Sequence, residues 1–166
     1  KMKKLIICLF LLSFSNLYSS EIKFEKIFDD LNKPWSLSFI NKENVIITEK
    51  TGRLLILNLK NKNINEIKHN LSLISLGQGG LLDVLYRDNT IYVSYSENRG
   101  NWETSTTVAK GIFDKEKIVF KNIFRAEPPI DSGYHFGSRL VIRDKHLYVT
   151  AGERGQGMIA QDPTKH

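Results

Sequence analysis

The sequence predicts an all-β fold of the β-propeller class, and three observations lead to this prediction. After residue 20, the apolar runs are short, rich in Ile, Val, Phe and Tyr, and separated by clusters of Asn, Asp, Gly and Lys, which is typical of antiparallel strands. No stretch beyond residue 20 shows a long helical periodicity. A pattern of strand, polar turn and strand also recurs three times along the chain, as it does in repeat architectures.

Ten strands are predicted from these runs. Polar turns at 41–44, 87–90 and 143–146 each separate two of the strands, because Asn, Asp and neighbouring polar residues favour tight chain reversals. In chain order, the predicted strands are residues 36–40, 45–49, 53–59, 64–68, 81–86, 91–95, 105–112, 117–124, 139–142 and 147–151.

An internal repeat becomes visible when the three polar turns are superposed. The second strand of each pair begins at Val45, Ile91 and Leu147, so successive repeats are 46 and 56 residues apart. Four-stranded propeller blades recur at about 40 to 50 residues. We therefore expect about two and a half blades, forming the N-terminal part of a longer ring of about 4 to 8 blades. An open sandwich of similar length is the alternative fold.

Residues 1–20 have the features of a secretory signal peptide. Lys1, Lys3 and Lys4 precede the apolar run 5–12, and small polar residues follow up to Ser20. The run of eight apolar residues is shorter than the roughly 20 that a membrane span requires. The sequence thus predicts a signal peptide at 1–20, a propeller part at 21–166 without a membrane span, and a periplasmic or secreted protein.

Charge and cysteine content narrow the function classes further. The chain of 166 residues has 24 basic and 18 acidic residues, but without the three leader lysines its net charge is near +3 rather than +6. A nucleic-acid partner therefore has little support. The only cysteine, Cys8, lies in the leader, which excludes a disulfide, a cysteine metal site and a cysteine nucleophile from residues 21–166.

Two polar residues are candidates for a functional site. Superposing the repeats, with a one-residue allowance in a turn, places Gln78 opposite His135. Both then lie in loops that lead into the innermost strand of a blade, and such loops surround one mouth of a propeller channel. An imidazole is the usual general base, and we expect nearby Arg139 to keep it neutral. The alternatives are a histidine that only satisfies backbone groups and a glutamine that only stabilises its turn.

Five segments, in order along the chain, carry a resemblance to a known family. The chain resembles the pyrroloquinoline-quinone-dependent soluble aldose sugar dehydrogenases, also called the glucose/sorbosone dehydrogenase family. Tyr134 departs from some glucose dehydrogenases of this kind, which have Asp before the histidine, and this points to the broader aldose branch. The five segments are PWSLSF at 34–39, TEKTGRL at 48–54, GQGGLLDV at 77–84, HFGSRL at 135–140 and AQD at 160–162.

The resemblance implies a six-bladed β-propeller that holds pyrroloquinoline quinone and a calcium ion, with the calcium ligands beyond residue 166. It implies oxidation of the C1 hydroxyl of an aldose to a lactone, with hydride transfer to the quinone and later electron transfer to an external acceptor. His135 would be the catalytic base and would contact the cofactor, and Gln78 would bind the cofactor. This stretch alone is expected to be inactive, because half of the site is absent. A secreted propeller that binds a protein or glycan without catalysis is the alternative function.

Overall fold

A computed structural model of the chain describes residues 22–162 and 164, so the predicted signal peptide lies outside the described residues. The described part contains no α-helix, and it has no helix long and apolar enough to cross a membrane. Its elements are β1 (Pro34–Phe39), β2 (Asn44–Glu49), β3 (Leu54–Asn58), β4 (Ile64–His69), β5 (Leu81–Arg87), β6 (Thr90–Asn98), β7 (Thr104–Ile112), β8 (Lys117–Ile118), β9 (Lys121–Arg125), β10 (Gly137–Arg143), β11 (His146–Ala151) and a short 3-10 helix (Ile159–Gln161).

The strands form two complete blades and the first hairpin of a third. β1 to β4 lie in chain order in one sheet, β5, β6, β7 and β9 lie in chain order in a second, and β10 pairs with β11. Within each blade the neighbouring strands are antiparallel. The prediction of an all-β chain with about two and a half four-stranded blades is therefore confirmed, and nine of the ten predicted strands agree with single observed strands.

The tenth predicted strand, residues 117–124, is two strands in the structure. β8 leaves the second blade and pairs in parallel with β4 of the first blade, whereas β9 returns to pair with β7. Asn70 stabilises this crossing, because its side chain bonds both the N–H and the carbonyl oxygen of Phe120. The first blade thereby gains a fifth, two-residue strand, which ties the outer rims of the two blades together.

All three innermost strands share a local irregularity. The register between the first two strands of each blade shifts once, between Pro34 and Ser36, between Leu81 and Val84, and between Gly137 and Leu140. Such bulges redirect a strand and commonly occur beside functional sites. The shared position supports the internal repeat and places the bulges at the same end of every blade.

The main core lies between the first two blades. Ile46 of β2 and Ile56 of β3 belong to one buried cluster with Val84 of β5 and Val93 of β6. Successive strand residues point to opposite faces, and a second cluster around Val45, Ile47, Leu55 and Leu57 covers the other face of the first blade. Both faces of the blade are apolar, which explains why these strands are continuous apolar runs.

The order of packing excludes the open sandwich. The inner strand β5 contacts β1 of the first blade and β10 of the third, so the three sheets pack in series. A sandwich has only two sheets around one shared core. Exposed apolar side chains on the two outermost faces fit this arrangement, since Phe39 is 62% exposed on β1 and Tyr148 is 56% exposed on β11.

A single buried carboxylate joins the inner strands of all three blades. Asp83 on β5 is 3% exposed and accepts hydrogen bonds from Ser36 Oγ at 2.5 Å, Arg139 Nη1 at 3.0 Å and the backbone N–H of Leu140 at 2.7 Å. A buried charge is tolerated when donors surround it in this way. Asp83 thus fixes β1, β5 and β10 side by side, and with them the loops that lead into β5 and β10.

Candidate functional site

The candidate site lies where the loops 70–80 and 126–136, which we call the mouth loops, meet in front of β5 and β10. The Gln78 N–H donates to the carbonyl oxygen of Gly133 at 2.7 Å, and the Gln78 side-chain Oε1 accepts the backbone N–H of His135 at 2.9 Å. The structure thus brings together the two residues that the repeat alignment had placed at one mouth. The Gln78 side chain is exposed, and its amide nitrogen has no acceptor among the described residues.

Glycine is required where the two mouth loops touch. Gly77 has a φ of 56°, and a Cβ atom on it would lie 2.4 Å from the carbonyl oxygen of Gly133. No other residue type tolerates that approach without a shift of the backbone. Lys50 closes the same contact from the first blade, because its Nζ donates to the Gly77 carbonyl oxygen. The approach of the loops is therefore set by glycine and by a lysine that sequence reasoning had not assigned to the site.

His135 has an unusual backbone conformation. Its φ is 48°, in the left-handed region that non-glycine residues rarely adopt. Its side chain is 51% exposed, so the ring is accessible. The Nδ1 atom contacts Glu153 Oε1, whereas Nε2 has no partner in the part of the chain that the structure describes. Left-handed residues that the surrounding contacts hold in place are frequent at functional sites.

Glu153 is the main candidate site residue that the sequence analysis did not predict, because its carboxylate contacts the His135 ring. Its hydrogen bond with His135 lowers the pKa of the Glu153 carboxyl, and this effect outweighs the opposite effect of desolvation. The Glu153 side chain is 20% exposed. The strand register explains the contact, because Gly137 of β10 pairs with Ala151 of β11. His135 lies two residues before Gly137 and Glu153 two residues after Ala151, so the antiparallel register brings them opposite each other. Continuing the predicted pairing of the third hairpin beyond its strands would have placed Glu153 opposite His135, provided that the one-residue bulge in β10 was counted.

The expected neighbour of His135 is a different residue from the one predicted. Arg139 donates to Asp83 in the inner strands rather than contacting the imidazole. The structure thus gives the Arg139 guanidinium to Asp83 and not to the ring, because the buried carboxylate is the stronger partner. The charged group that contacts the ring is the Glu153 carboxylate.

These contacts define what the site can do chemically. An ionised carboxylate only accepts hydrogen bonds, so the imidazole nitrogen that contacts Glu153 carries the ring proton. The other nitrogen, Nε2, then presents a lone pair and can accept a proton from a bound hydroxyl. The Gln78 amide group adds two N–H donors beside it. Within residues 22–162 and 164, no group of three or more His, Cys, Asp or Glu side chains is placed to hold a metal ion.

The sequence profile of the glucose/sorbosone dehydrogenase family matches residues 31–166. The chain belongs to this family. Among curated proteins, the aldose sugar dehydrogenase YliI of Escherichia coli K12 is 32% identical over 154 residues, which cover 87% of this chain and 42% of the relative. The resemblance that the five sequence segments indicated is thus confirmed.

Solved structures of glucose and aldose sugar dehydrogenases agree with the fold. A glucose dehydrogenase crystal structure has a TM-score of 0.79 at 30% identity, and the soluble aldose sugar dehydrogenase of Escherichia coli, in its apo form, has 0.78 at 32%. Each comparison covers 85% of this chain and 44% of the solved chain. At 20% identity, the aldose sugar dehydrogenase of Streptomyces coelicolor, solved in its PQQ-bound form, shows the shared fold with a TM-score of 0.73.

Proposed function

We propose that this chain provides the proton-accepting side of the active site in a pyrroloquinoline-quinone-dependent dehydrogenase that oxidises the C1 hydroxyl of aldose sugars to lactones. Membership of the glucose/sorbosone dehydrogenase family supports the reaction class. The similarity to the Escherichia coli aldose sugar dehydrogenase supports the substrate class. The PQQ-bound form of the Streptomyces coelicolor protein supports the cofactor.

The pairing of His135 with Glu153 is the observation that carries the proposal. A histidine whose Nδ1–H donates to a carboxylate has a fixed tautomer and a fixed ring orientation. That arrangement leaves Nε2 of His135 available, and the ring is exposed at the mouth loops. A residue that only satisfied backbone groups at a blade junction would not need a carboxylate on its ring.

Gln78 fits a group rich in carboxylate and carbonyl oxygens. Its Oε1 is occupied by the His135 N–H, so its unpartnered amide nitrogen offers only donors to a ligand. The quinone carries three carboxylates and two quinone oxygens, all of which accept hydrogen bonds. Gln78 would therefore bind the cofactor through its amide group, while its oxygen keeps the backbone of His135 in place.

In the proposed reaction, His135 Nε2 accepts the proton of the C1 hydroxyl as the C1–O bond becomes a carbonyl. When bound, pyrroloquinoline quinone would supply the hydride acceptor for this oxidation, and calcium would supply a Lewis acid. Glu153 stabilises the imidazolium that forms on His135, because a carboxylate hydrogen-bonded to the ring favours its charged state. His135 later releases its proton to solvent, to which its exposed ring has access.

Further parts of the proposal concern the protein outside the described residues. The matched stretch spans 42% of the Escherichia coli relative and 44% of the two solved dehydrogenases named above. We assign the calcium ligands, the remaining cofactor contacts and the sugar contacts to regions beyond residue 166. The signal peptide at 1–20 would direct the protein to the periplasm or the exterior, where an external acceptor takes the electrons.

A cofactor titration of the full-length apoprotein tests the proposal. Pyrroloquinoline quinone, added with calcium, is expected to change the absorption and tryptophan fluorescence, and aldoses are then expected to reduce an artificial acceptor with formation of the lactone. The same titration without calcium is the control. Unchanged spectra and no lactone would contradict the proposal and favour a propeller that binds a protein or glycan without catalysis.

A further inference from the structure

Arg154 follows Glu153 and is a buried cation with no acidic partner in the described part of the chain. It is 7% exposed, and burial lowers its pKa to about 10, so the guanidinium is still charged at neutral pH. Buried charges are normally paired with an opposite charge. Arg154 instead donates only to backbone and hydroxyl oxygens.

Two of these oxygens belong to the mouth loop that carries His135. Arg154 Nε donates to the carbonyl oxygen of Tyr134 at 2.9 Å, and Nη2 donates to that of Ser132. The guanidinium carbon also lies 3.8 Å from the centre of the Phe136 ring, within the range of a cation–π contact. Residues on both sides of His135 therefore contact one side chain.

The other contacts of Arg154 fasten this loop to the second blade. Nη1 donates to the Thr104 carbonyl oxygen at 2.9 Å, and Nη2 donates to Thr104 Oγ1 at 2.6 Å. Thr104 is the first residue of β7 and is fully buried. The guanidinium is thus a rigid connection between a core strand and the loop of residues 132–136.

We propose that Arg154 is a positioning residue for His135. It holds the backbone of residues 132–136 so that His135 keeps its φ of 48° and its ring stays on Glu153. A left-handed non-glycine residue persists only when the surrounding contacts determine its conformation. The consequence for turnover rests on the proposed function, in which His135 is the base, whereas the consequence for the position of the His135 ring does not.

The geometry requires arginine rather than any cation. Its planar group presents five N–H donors in a fixed fork and stacks on an aromatic face. A lysine at position 154 would retain the charge but not the simultaneous contacts to Ser132, Tyr134 and Phe136. Substitution by lysine therefore separates the effect of charge from the effect of positioning.

The test uses the full-length apoprotein with ¹⁵N-labelled histidine, so that the ring signals of His135, assigned with H135Q, are read without cofactor. Arg154→Gln is expected to shift these signals. In the enzyme loaded with cofactor, it is expected to lower kcat about 10- to 100-fold, with the KM for aldose nearly unchanged. Arg154→Lys is expected to restore the signal positions and kcat only in part. Arg125→Gln is the matched control, because the Arg125 guanidinium bonds Glu97 and has no hydrogen bond or ion pair with residues 132–136 in the described part of the chain.

The proposal is overturned if R154Q leaves the His135 signals where R125Q leaves them, or if R154K restores both signals and kcat fully. Should R154Q not fold, R154K carries the test, because lysine lacks the guanidinium fork that contacts Thr104, Ser132 and Tyr134. Unshifted His135 signals in R154K overturn the proposal equally. Normal turnover of H135Q would contradict the proposed function. The positioning role of Arg154 is tested separately by the ring signals of the Arg154 variants, so the two failures are distinguishable.

Discussion

The backbone N–H of His135 donates to Gln78 Oε1 over 2.9 Å and joins two residues 57 positions apart in the chain. They occupy the same place in successive blades, since each lies two residues before a glycine in the loop that leads into an inner strand. The contact orders the backbone of His135 and leaves the Gln78 amide nitrogen for a ligand. Under the proposed function, the oxygen of the Gln78 side chain orders the loop and its nitrogen binds the cofactor.

Gln78→Glu separates these two roles. The variant retains an oxygen that accepts the His135 N–H, but it replaces the NH₂ donors with a carboxylate that repels an anionic cofactor. We expect the thermal midpoint of unfolding to change little and the Kd for pyrroloquinoline quinone to rise by about tenfold or more. Isothermal titration of the full-length apoprotein measures the Kd, and equal binding by wild type and Q78E would contradict the role of the amide.

Glu153→Gln tests the orientation of the imidazole. The amide cannot stabilise an imidazolium as a carboxylate does, so kcat is expected to fall by about 10- to 100-fold. Glu66→Gln is a matched control, because the exposed Glu66 carboxylate pairs with Arg53 and makes no ion pair with a mouth-loop residue in the described part of the chain. Steady-state kinetics with saturating aldose compares the two variants, and an equal kcat for E153Q and E66Q would show that the carboxylate has no part in turnover.

Gly152→Ala tests the packing behind His135. A Cβ at position 152 would lie 1.9 Å from the His135 carbonyl oxygen, so the loop or β11 must shift. Overpacking of this kind costs about 1 to 3 kcal/mol, and we expect lower stability together with lower kcat. Gly157→Ala is the control, since nothing lies within 4 Å of a Cβ there. Similar denaturation midpoints for the two variants would contradict the close contact.

Glu97 provides a prediction of pH dependence that is independent of the site. Burial alone would raise the pKa of this carboxyl, but hydrogen bonds from Arg125 and Thr107 outweigh it and lower the pKa. A folded-state pKa below the unfolded value of about 4.3 means that the stabilisation is present above that value and is lost as the pH falls through the folded pKa. Asn122 adds a further donor at 2.9 Å.

Glu97→Gln is therefore expected to reduce stability at neutral pH by about 1 to 3 kcal/mol. The difference from the wild type should shrink as the medium becomes acidic, because the wild-type carboxyl is protonated there. Urea unfolding at several pH values from 7 to below 4 measures both effects. A difference that stays constant over this range would show that the ionised form of Glu97 is not what stabilises the second blade.

The sequence predicts the blades well because the signals involved are local. Apolar runs and polar turns lie next to each other in the chain, and the repeat then places Gln78 and His135 together. Pairings that depend on a single shifted residue or on a distant strand are not encoded locally. The bulge in β10 concealed the match of His135 with Glu153, and the parallel pairing of β4 with β8 divided a predicted strand. Arg139 was assigned to the wrong partner because Asp83 comes from another blade.

The proton-accepting role of His135 is the central claim, and His135→Gln tests it most directly in the full-length protein loaded with quinone and calcium. His146→Gln is the matched control, because that histidine is exposed at the start of β11, at the end of the hairpin opposite the mouth loops, and its Nδ1 pairs with the Asp144 carbonyl oxygen. We expect H135Q to lose roughly 10²- to 10⁴-fold in kcat while H146Q keeps the wild-type value. Turnover of H135Q within a factor of about three of wild type would contradict the account.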